Sequence, residues 1–169
     1  PEGRFGFDPD TDSVVVFFDA DIYKGDEEGY LRMLGRFEGV ADVAVTYPSF
    51  ELFLLLHLEG AYEEVIAPNE AEIVANGYVN RRRFVEALAS ERLGMNVKRN
   101  SAVGGLSGRF GVAASAEPLL NRDPRVAVGR LTSNVAERVL EVVRRGSSSG
   151  ERYRELCEEL GVRLRSRSC

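Results

Sequence analysis

Two carboxylates one residue apart, Asp19 and Asp21, follow a continuous apolar run over residues 14–18. Such a run predicts a strand buried on both faces, as in a parallel sheet covered by helices. Ligands of open parallel sheets bind beyond the carboxyl ends of the strands, which places both acids at the functional edge. Neighbouring carboxylates repel each other unless a cation neutralises them, and their hard oxygen ligands suit Mg²⁺ or Mn²⁺. The D-x-D pair is therefore a candidate metal site; the alternative is an ordinary turn after a strand.

A third acid, Glu51, belongs to a strongly apolar helix that we expect to run from Ser49 to Leu58. Ser49 is a typical helix-capping residue, so Glu51 falls in the first turn, at the same sheet edge as Asp19. Glu51 is therefore a candidate third metal ligand and a candidate catalytic residue. The alternative role is a first-turn glutamate that the helix dipole favours. His57 points to a different helix face, and we expect it to be a packing residue.

The elements that must position these acids follow from the apolar pattern. Strand, helix, strand and helix in succession predict a right-handed parallel crossover unit. The fold class is therefore α/β, with a mostly parallel sheet flanked by helices and the first strand at its centre. The predicted elements are strands at 14–18 and 42–46, helices at 27–37, 49–58, 69–76, 80–93 and 134–144, and a basic, glycine-rich loop at 96–111.

Composition restricts the class of protein. The chain has 169 residues, enough for one domain with a sizeable core, and its net charge of −5 opposes broad adhesion to nucleic acid by charge alone. No apolar run approaches the roughly 18 residues of a membrane span, so we expect no membrane association. Neither a signal segment nor a C-x-x-C pair is present in the sequence. We therefore expect a cytoplasmic protein without a zinc site.

A glycine- and serine-rich stretch near the C-terminus suggests a boundary. We expect an α/β domain over residues 1–145, a flexible linker over 146–150, and a C-terminal helix with a basic tail over 151–169. The three arginines at 81–83 fall inside a predicted helix and are interpreted as its solvated face; the alternative is contact with nucleic-acid phosphates.

Two motifs together resemble the RloB-like family. They are F-D-A-D at residues 18–21 and P-S-F-E-L-F-L-L-L-H-L at residues 48–58, and T-S-N-V at 132–135 loosely matches a third. Members contain a Toprim-type domain and are associated with bacterial restriction and anti-phage loci. The resemblance covers roughly residues 8–143, although Tyr47 and Phe53 stand where the family has asparagine and tryptophan. It implies a Toprim-like fold.

The resemblance also implies an activity, a metal-dependent phosphodiesterase or nuclease acting on DNA or RNA. In that mechanism Asp19 and Asp21 hold Mg²⁺ or Mn²⁺, and Glu51 supports a second ion or orients a water. Lys98 and Arg99, in the basic loop, are the candidate contacts to nucleic-acid phosphates. Family members are often encoded beside an ATPase, which makes an ATPase a possible partner.

Toprim domains also carry a catalytic glutamate on a strand that precedes the D-x-D strand. Only thirteen residues precede Val14. We therefore expect the chain to be an N-terminally truncated portion or to lack that glutamate, and alone to bind divalent metal weakly and cleave nucleic acid poorly.

Three alternatives to a nuclease are considered. The first is a non-catalytic Toprim-like interaction module that binds metal or phosphate and serves a partner. The second is a glycosyltransferase whose D-x-D motif holds Mn²⁺ and a nucleotide sugar. A phosphatase of the haloacid dehalogenase type is disfavoured because Tyr23 occupies the fifth position of its motif.

Overall fold

The computed structural model describes residues 12–147 and 150–162. The strands are β1 (Val15–Asp19), β2 (Asp42–Tyr47), β3 (Tyr78–Val79), β4 (Arg82–Arg83) and β5 (Thr132–Ser133). The α-helices are α1 (Glu27–Gly35), α2 (Phe50–Leu55), α3 (Glu70–Ala75), α4 (Phe84–Leu93), α5 (Asn100–Gly104), α6 (Phe110–Ala116), α7 (Val135–Gly146) and α8 (Gly150–Glu159). Short 3₁₀ turns include Ala20–Tyr23 and Glu117–Leu119, and a π-helical turn spans Tyr62–Ile66.

A small sheet of mixed strand orientation lies among the helices, in the order β1-β2-β5. β1 and β2 are parallel, with Asp19 opposite Thr46, and α1 lies between them in the chain. β5 pairs with β2 in the antiparallel direction. The α/β class and the parallel first pair are therefore confirmed, whereas the sheet is mixed rather than mostly parallel.

The position of β1 in the sheet differs from the prediction. Within the described residues β2 is the central strand and β1 is an edge strand, and Phe17 is 52% exposed. The prediction that the first strand is central and buried on both faces is therefore wrong within the described residues. An apolar run shows which side chains avoid water, but not whether a second strand lies alongside.

The predicted helix at 80–93 is correct only from Phe84 onward. Its first residues form a β-hairpin in which β3 pairs with β4. Asn80 and Arg81 make the turn with φ of 49° and 68°, the conformation of a two-residue hairpin turn. The arginines at 81–83 consequently lie on an exposed hairpin and not on a helix face.

The predicted loop at 96–111 is largely helical. It contains α5, the 3₁₀ turn Ser107–Arg109 and the start of α6. Leu106 and Phe110 are buried in the main core, so tertiary packing outweighs the low helix propensity of the glycines. The helix predicted through Leu58 ends earlier, at Leu55.

Two apolar clusters form the core. The larger joins α2, α4, α6 and α7 around Leu52, Leu55 and Val85. The smaller contains Tyr30 of α1 and Val45 of β2, and Tyr30 donates a hydrogen bond of 2.6 Å to the Pro124 carbonyl oxygen. The sheet edge that carries Asp19 therefore adjoins packed side chains.

Buried polar groups fix α7 to the sheet. The side chain of Asn134 accepts a hydrogen bond from the Val45 N–H and donates one to the Val43 carbonyl, so it continues the ladder of β2 beyond β5. Glu117 accepts from the Ser133 hydroxyl and from the N–H groups of Ala136 and Glu137. Its carboxylate thereby caps α7 from another segment of the chain.

The C-terminal helix α8 packs beside α7 and α6. The Gly111 N–H donates to the Leu160 carbonyl over 2.9 Å, and Cys157 is fully buried. Of the predicted linker at 146–150, Gly146 belongs to α7 and Gly150 to α8, and residues 148 and 149 lie outside the described residues. Residues 1–11 and the basic tail at 163–169 also lie outside them. Across the described ranges, every helix is too short or too polar to cross a bilayer.

Candidate functional site

Asp19 is held at the carboxyl end of β1 by the neighbouring strand. It lies opposite Thr46 in the parallel register, and the Thr46 hydroxyl donates a hydrogen bond of 2.5 Å to Asp19 Oδ1. The backbone N–H of Phe50, at the start of α2, also interacts with this carboxylate. Strand pairing and the strand-to-helix turn together fix the orientation of Asp19.

The electrostatic surroundings of Asp19 disfavour its charge. Burial is the main cause of a raised pKa, and the nearby charges of Glu51 and Asp21 raise it further. The hydrogen bond from Thr46 acts in the opposite direction but does not compensate. A carboxylate in this position is stabilised by any added positive charge.

Glu51 lies in the first turn of α2, as predicted, after a cis peptide bond between Tyr47 and Pro48. It is only 6% exposed and forms an ion pair with the Lys98 ammonium group. Burial alone would raise its pKa, but the hydrogen bond and charge of Lys98, with the Ser49 hydroxyl, lower it below the ordinary value. Glu51 is therefore ionised at neutral pH and already paired with one cation.

Asp19, Glu51 and Lys98 line one open cavity of about 480 Å³. Its remaining walls are largely apolar and come from α2 and from the segment that includes α5. The other lining residues are Phe50, Leu54, Val97, Val103 and Gly104. Two carboxylates from successive strand-to-helix turns thus face the same space as a lysine.

The other two predicted site residues lie near this cavity but do not line it. Asp21 sits on the 3₁₀ turn after β1, and its charge acts on Asp19 and on Tyr47. Arg99 is exposed, immediately before α5. Among the predicted nucleic-acid contacts, Lys98 therefore faces the cavity and Arg99 faces solvent.

The carboxylates are not gathered into a tight cage. In the described parts of the chain, no three His, Cys, Asp or Glu side chains are grouped as a set that could hold a metal ion. Glu51 is joined to Lys98, while Asp19 is joined to Thr46. The site is thus a pair of acids with a basic group.

Sequence reasoning missed the role of Thr46. It is 2% exposed and its hydroxyl is the closest partner of Asp19. Its position at the end of β2 was the available signal, because a parallel register brings the last residues of β1 and β2 side by side. His57 is a packing residue, as expected; it is buried against Phe53, and its Nδ1 lies 3.1 Å from the Phe53 carbonyl oxygen.

Comparison of this chain with protein families, with curated proteins and with solved structures gives no match.

Proposed function

We propose that this protein is a divalent-metal-dependent phosphodiesterase or nuclease whose site is the cavity lined by Asp19, Glu51 and Lys98. The observation that carries the proposal is the meeting of these three side chains in one open space at the carboxyl ends of two parallel strands. This is the position at which α/β sheets bind ligands. Acids that bind a cation and a lysine that binds a phosphate are the parts that phosphodiester chemistry requires.

The donor chemistry of the site fits Mg²⁺ or Mn²⁺. Asp19, Asp21 and Glu51 offer carboxylate oxygens, and Asp19 has a raised pKa that a nearby cation would lower. Mg²⁺ is commonly held by one or two carboxylates, with water and substrate phosphate oxygens completing its shell. A full cage of protein ligands is therefore not needed. When bound, the ion would supply positive charge that stabilises the developing charge on the phosphate oxygens.

The residues of the chain have separate roles in this proposal. Lys98, whose side chain is 59% exposed, is positioned to bind a phosphate oxygen at the mouth of the cavity. Thr46 fixes the orientation of Asp19. Glu51 remains ionised because its pKa is lowered, so it is suited to support a second ion or to orient a water. Leu54 and Val103 contribute apolar walls to the cavity.

The family resemblance supports three further parts of the same proposal. They are a Toprim-like arrangement of the sheet, a cytoplasmic role in an anti-phage or restriction-linked system, and an ATPase as partner. Each depends on the F-D-A-D and P-S-F-E motifs and not on the geometry of the cavity.

Calorimetric titration with Mn²⁺ tests the metal part. We expect binding heat from the wild-type chain and little or none from Asp19→Asn, which keeps the shape and the Thr46 contact but removes the charge. The matched control is Glu63→Gln, which neutralises an exposed acid outside the cavity. Equal heats from wild type and Asp19→Asn would contradict the proposal, provided circular dichroism shows that the variant is folded.

Cleavage of labelled DNA and RNA in Mn²⁺ tests the activity. We expect slow cleavage by the wild type that falls at least tenfold in Asp19→Asn and is unchanged in Glu63→Gln. Cleavage that persists in Asp19→Asn would assign the reaction to another site.

A second candidate function is a non-catalytic module that binds phosphate or metal for a partner. The ion pair between Glu51 and Lys98 favours it, because the ammonium group already neutralises a carboxylate that a metal would need. The variant Lys98→Gln separates the two functions. If the site is a nuclease site, Lys98→Gln should cleave nucleic acid more slowly than the wild type. If it is a binding module, neither the wild type nor Lys98→Gln should cleave, and Lys98→Gln should bind phosphate more weakly.

A further inference from the structure

The hairpin formed by β3 and β4 concentrates positive charge and an exposed aromatic ring. Three consecutive arginines and no acid occur between Asn76 and Val85. Tyr78 is 71% exposed and Val79 is 44% exposed, so both side chains of β3 are accessible to solvent. This local composition is opposite in sign to the net charge of the chain.

Tyr78 and Arg83 form a stacked pair. The guanidinium carbon of Arg83 lies 4.5 Å from the centre of the Tyr78 ring, and the Arg83 Nη1 donates to the Asn76 carbonyl over 3.2 Å. Arg83 thus covers one face of the ring and holds it in place at the base of the hairpin. The high exposure of Tyr78 leaves the remainder of the ring open to a planar ligand.

Arg81 and Arg82 are the two arginines of the hairpin that do not stack on Tyr78. Arg81 lies in the turn with a φ of 68° and forms no ion pair with any residue of 12–147 or 150–162. Arg82 forms a long ion pair with Glu86 at 4.0 Å, and because its side chain is 52% exposed the pair is weak. This φ is the one that a two-residue hairpin turn requires at its second central residue.

The hairpin adjoins the edge that carries the cavity. Lys24, just after the 3₁₀ turn that contains Asp21, donates to the Ala75 carbonyl over 2.8 Å, at the end of α3 that leads into β3. On the other side, Glu86 contacts Arg82 and also acts on the charge of Lys98. Lys24 and Glu86 therefore link the hairpin region to the turn that carries Asp21 and to the surroundings of Lys98.

We propose that the hairpin of residues 78–83 binds single-stranded nucleic acid, with Arg81 and Arg82 contacting phosphates and Tyr78 stacking on an unpaired base. Arginine and exposed aromatic side chains are the two groups that single-strand-binding surfaces combine. A base within a duplex is already stacked on both faces, so an open tyrosine ring selects the unpaired form. The idea that the bound strand leads to the cavity rests on the proposed function, whereas the binding of the strand to the hairpin does not.

Fluorescence anisotropy of labelled 12-nucleotide DNA and RNA strands and of a matched duplex, all in EDTA, measures this binding without cleavage. The double variant Arg81→Gly, Arg82→Gln removes both charges, and glycine accepts the positive φ of Arg81 without strain. We expect about a tenfold loss of affinity and a shallower dependence on salt, by roughly 0.7 per lost phosphate contact on a logarithmic plot.

Tyrosine variants test the stacking. We expect Tyr78→Ala to weaken single-strand binding about tenfold, with little change for the duplex, and Tyr78→Phe to bind like wild type. The control Arg32→Gln removes an exposed arginine from α1, outside the hairpin, and should leave the affinity unchanged.

Three results would overturn the inference. The first is that the wild type does not bind single strands. The second is that the double variant and Tyr78→Ala both bind single strands with wild-type affinity. The third is that Tyr78→Ala loses as much affinity for the duplex as for the single strand. The metal titration of Asp19→Asn is independent of these measurements, so failure of the hairpin and failure of the cavity can be distinguished.

Discussion

At the scale of single residues, the charge of Asp19 lowers the stability of the fold. Its charge is disfavoured by burial and by two neighbouring acids, and the Thr46 hydroxyl compensates only in part. Groups with perturbed pKa values that face a cavity are typical of functional sites. Asp19, which we propose to hold a cation, therefore destabilises the fold when no cation is bound.

We expect Asp19→Asn to raise the free energy of unfolding at pH 7 by about 0.5–1 kcal/mol, because asparagine keeps an acceptor for Thr46 without the charge. The folded-state pKa of Asp19 is raised, so its contribution to stability is full at low pH and is lost as pH rises through that pKa. The advantage of the variant should thus grow from pH 4 to pH 7 in urea unfolding. An advantage that is largest at pH 4 would contradict this account.

At the scale of elements, α8 depends on a close backbone approach to α6. A Cβ atom added to Gly111 would lie 1.8 Å from the Gly161 carbonyl oxygen, a contact that only glycine avoids. The neighbouring Gly108 has no atom within 4 Å of such a Cβ. Small size at residue 111 is therefore a condition for docking the C-terminal segment.

We expect Gly111→Ala to displace residues 150–162 and to cost about 1–3 kcal/mol, because the packed backbone cannot yield without repacking. Cys157, buried in the wild type, should then react rapidly with a thiol reagent when measured in a Cys169→Ser background. Gly108→Ala serves as the matched control and should keep Cys157 protected. Equal reactivity of both variants would show that α8 is held by other contacts.

The junction of β2 with α7 depends on Asn134, whose side chain pairs with the backbone of Val43 and Val45. Removing it leaves a buried N–H and a buried carbonyl without partners. We expect Asn134→Ala to lower the free energy of unfolding by about 2–4 kcal/mol. Asn69→Ala, which removes one partly buried hydrogen bond to Val65, should cost about 1 kcal/mol. Similar losses from the two variants in urea unfolding would contradict the role given to Asn134.

At the scale of the whole molecule, His57 contributes to the pH dependence of unfolding near neutral pH. His57 is the only histidine of the chain, and burial among leucines and phenylalanines lowers its pKa. Because the charged form is disfavoured in the folded state, its stabilising contribution is present above pH 6.5 and is lost as pH falls towards the folded-state pKa.

We expect the wild type to lose about 1 kcal/mol more stability than His57→Gln when the pH falls from 7.5 to 5.5. Glutamine does not titrate, so the difference between the two unfolding curves isolates the histidine. Parallel curves over this interval would show that His57 is equally protonated in the folded and unfolded states.

Local signals in the sequence predicted much of the framework. The β1, α1, β2 and α2 unit, the parallel pairing of β1 with β2, and the place of Glu51 in the first turn of α2 all agree with the structure. Each depends on residues that are close in the chain: apolar periodicity, a capping serine and an acid beside it. The hairpin at 78–83 was missed because arginines directly before an apolar helix look, in the sequence, like the polar first turn of that helix.

Contacts between distant segments decided the rest. The pairing of Lys98 with Glu51, the hydrogen bond of Thr46 to Asp19 and the capping of α7 by Glu117 join residues that are 16 to 47 positions apart. The sequence by itself determined which residues carry charge and which avoid water, and hence the elements that build the edge. Only the tertiary structure decided which acid meets a lysine and which strand lies outermost, because burial and pairing energies depend on partners that local patterns do not specify.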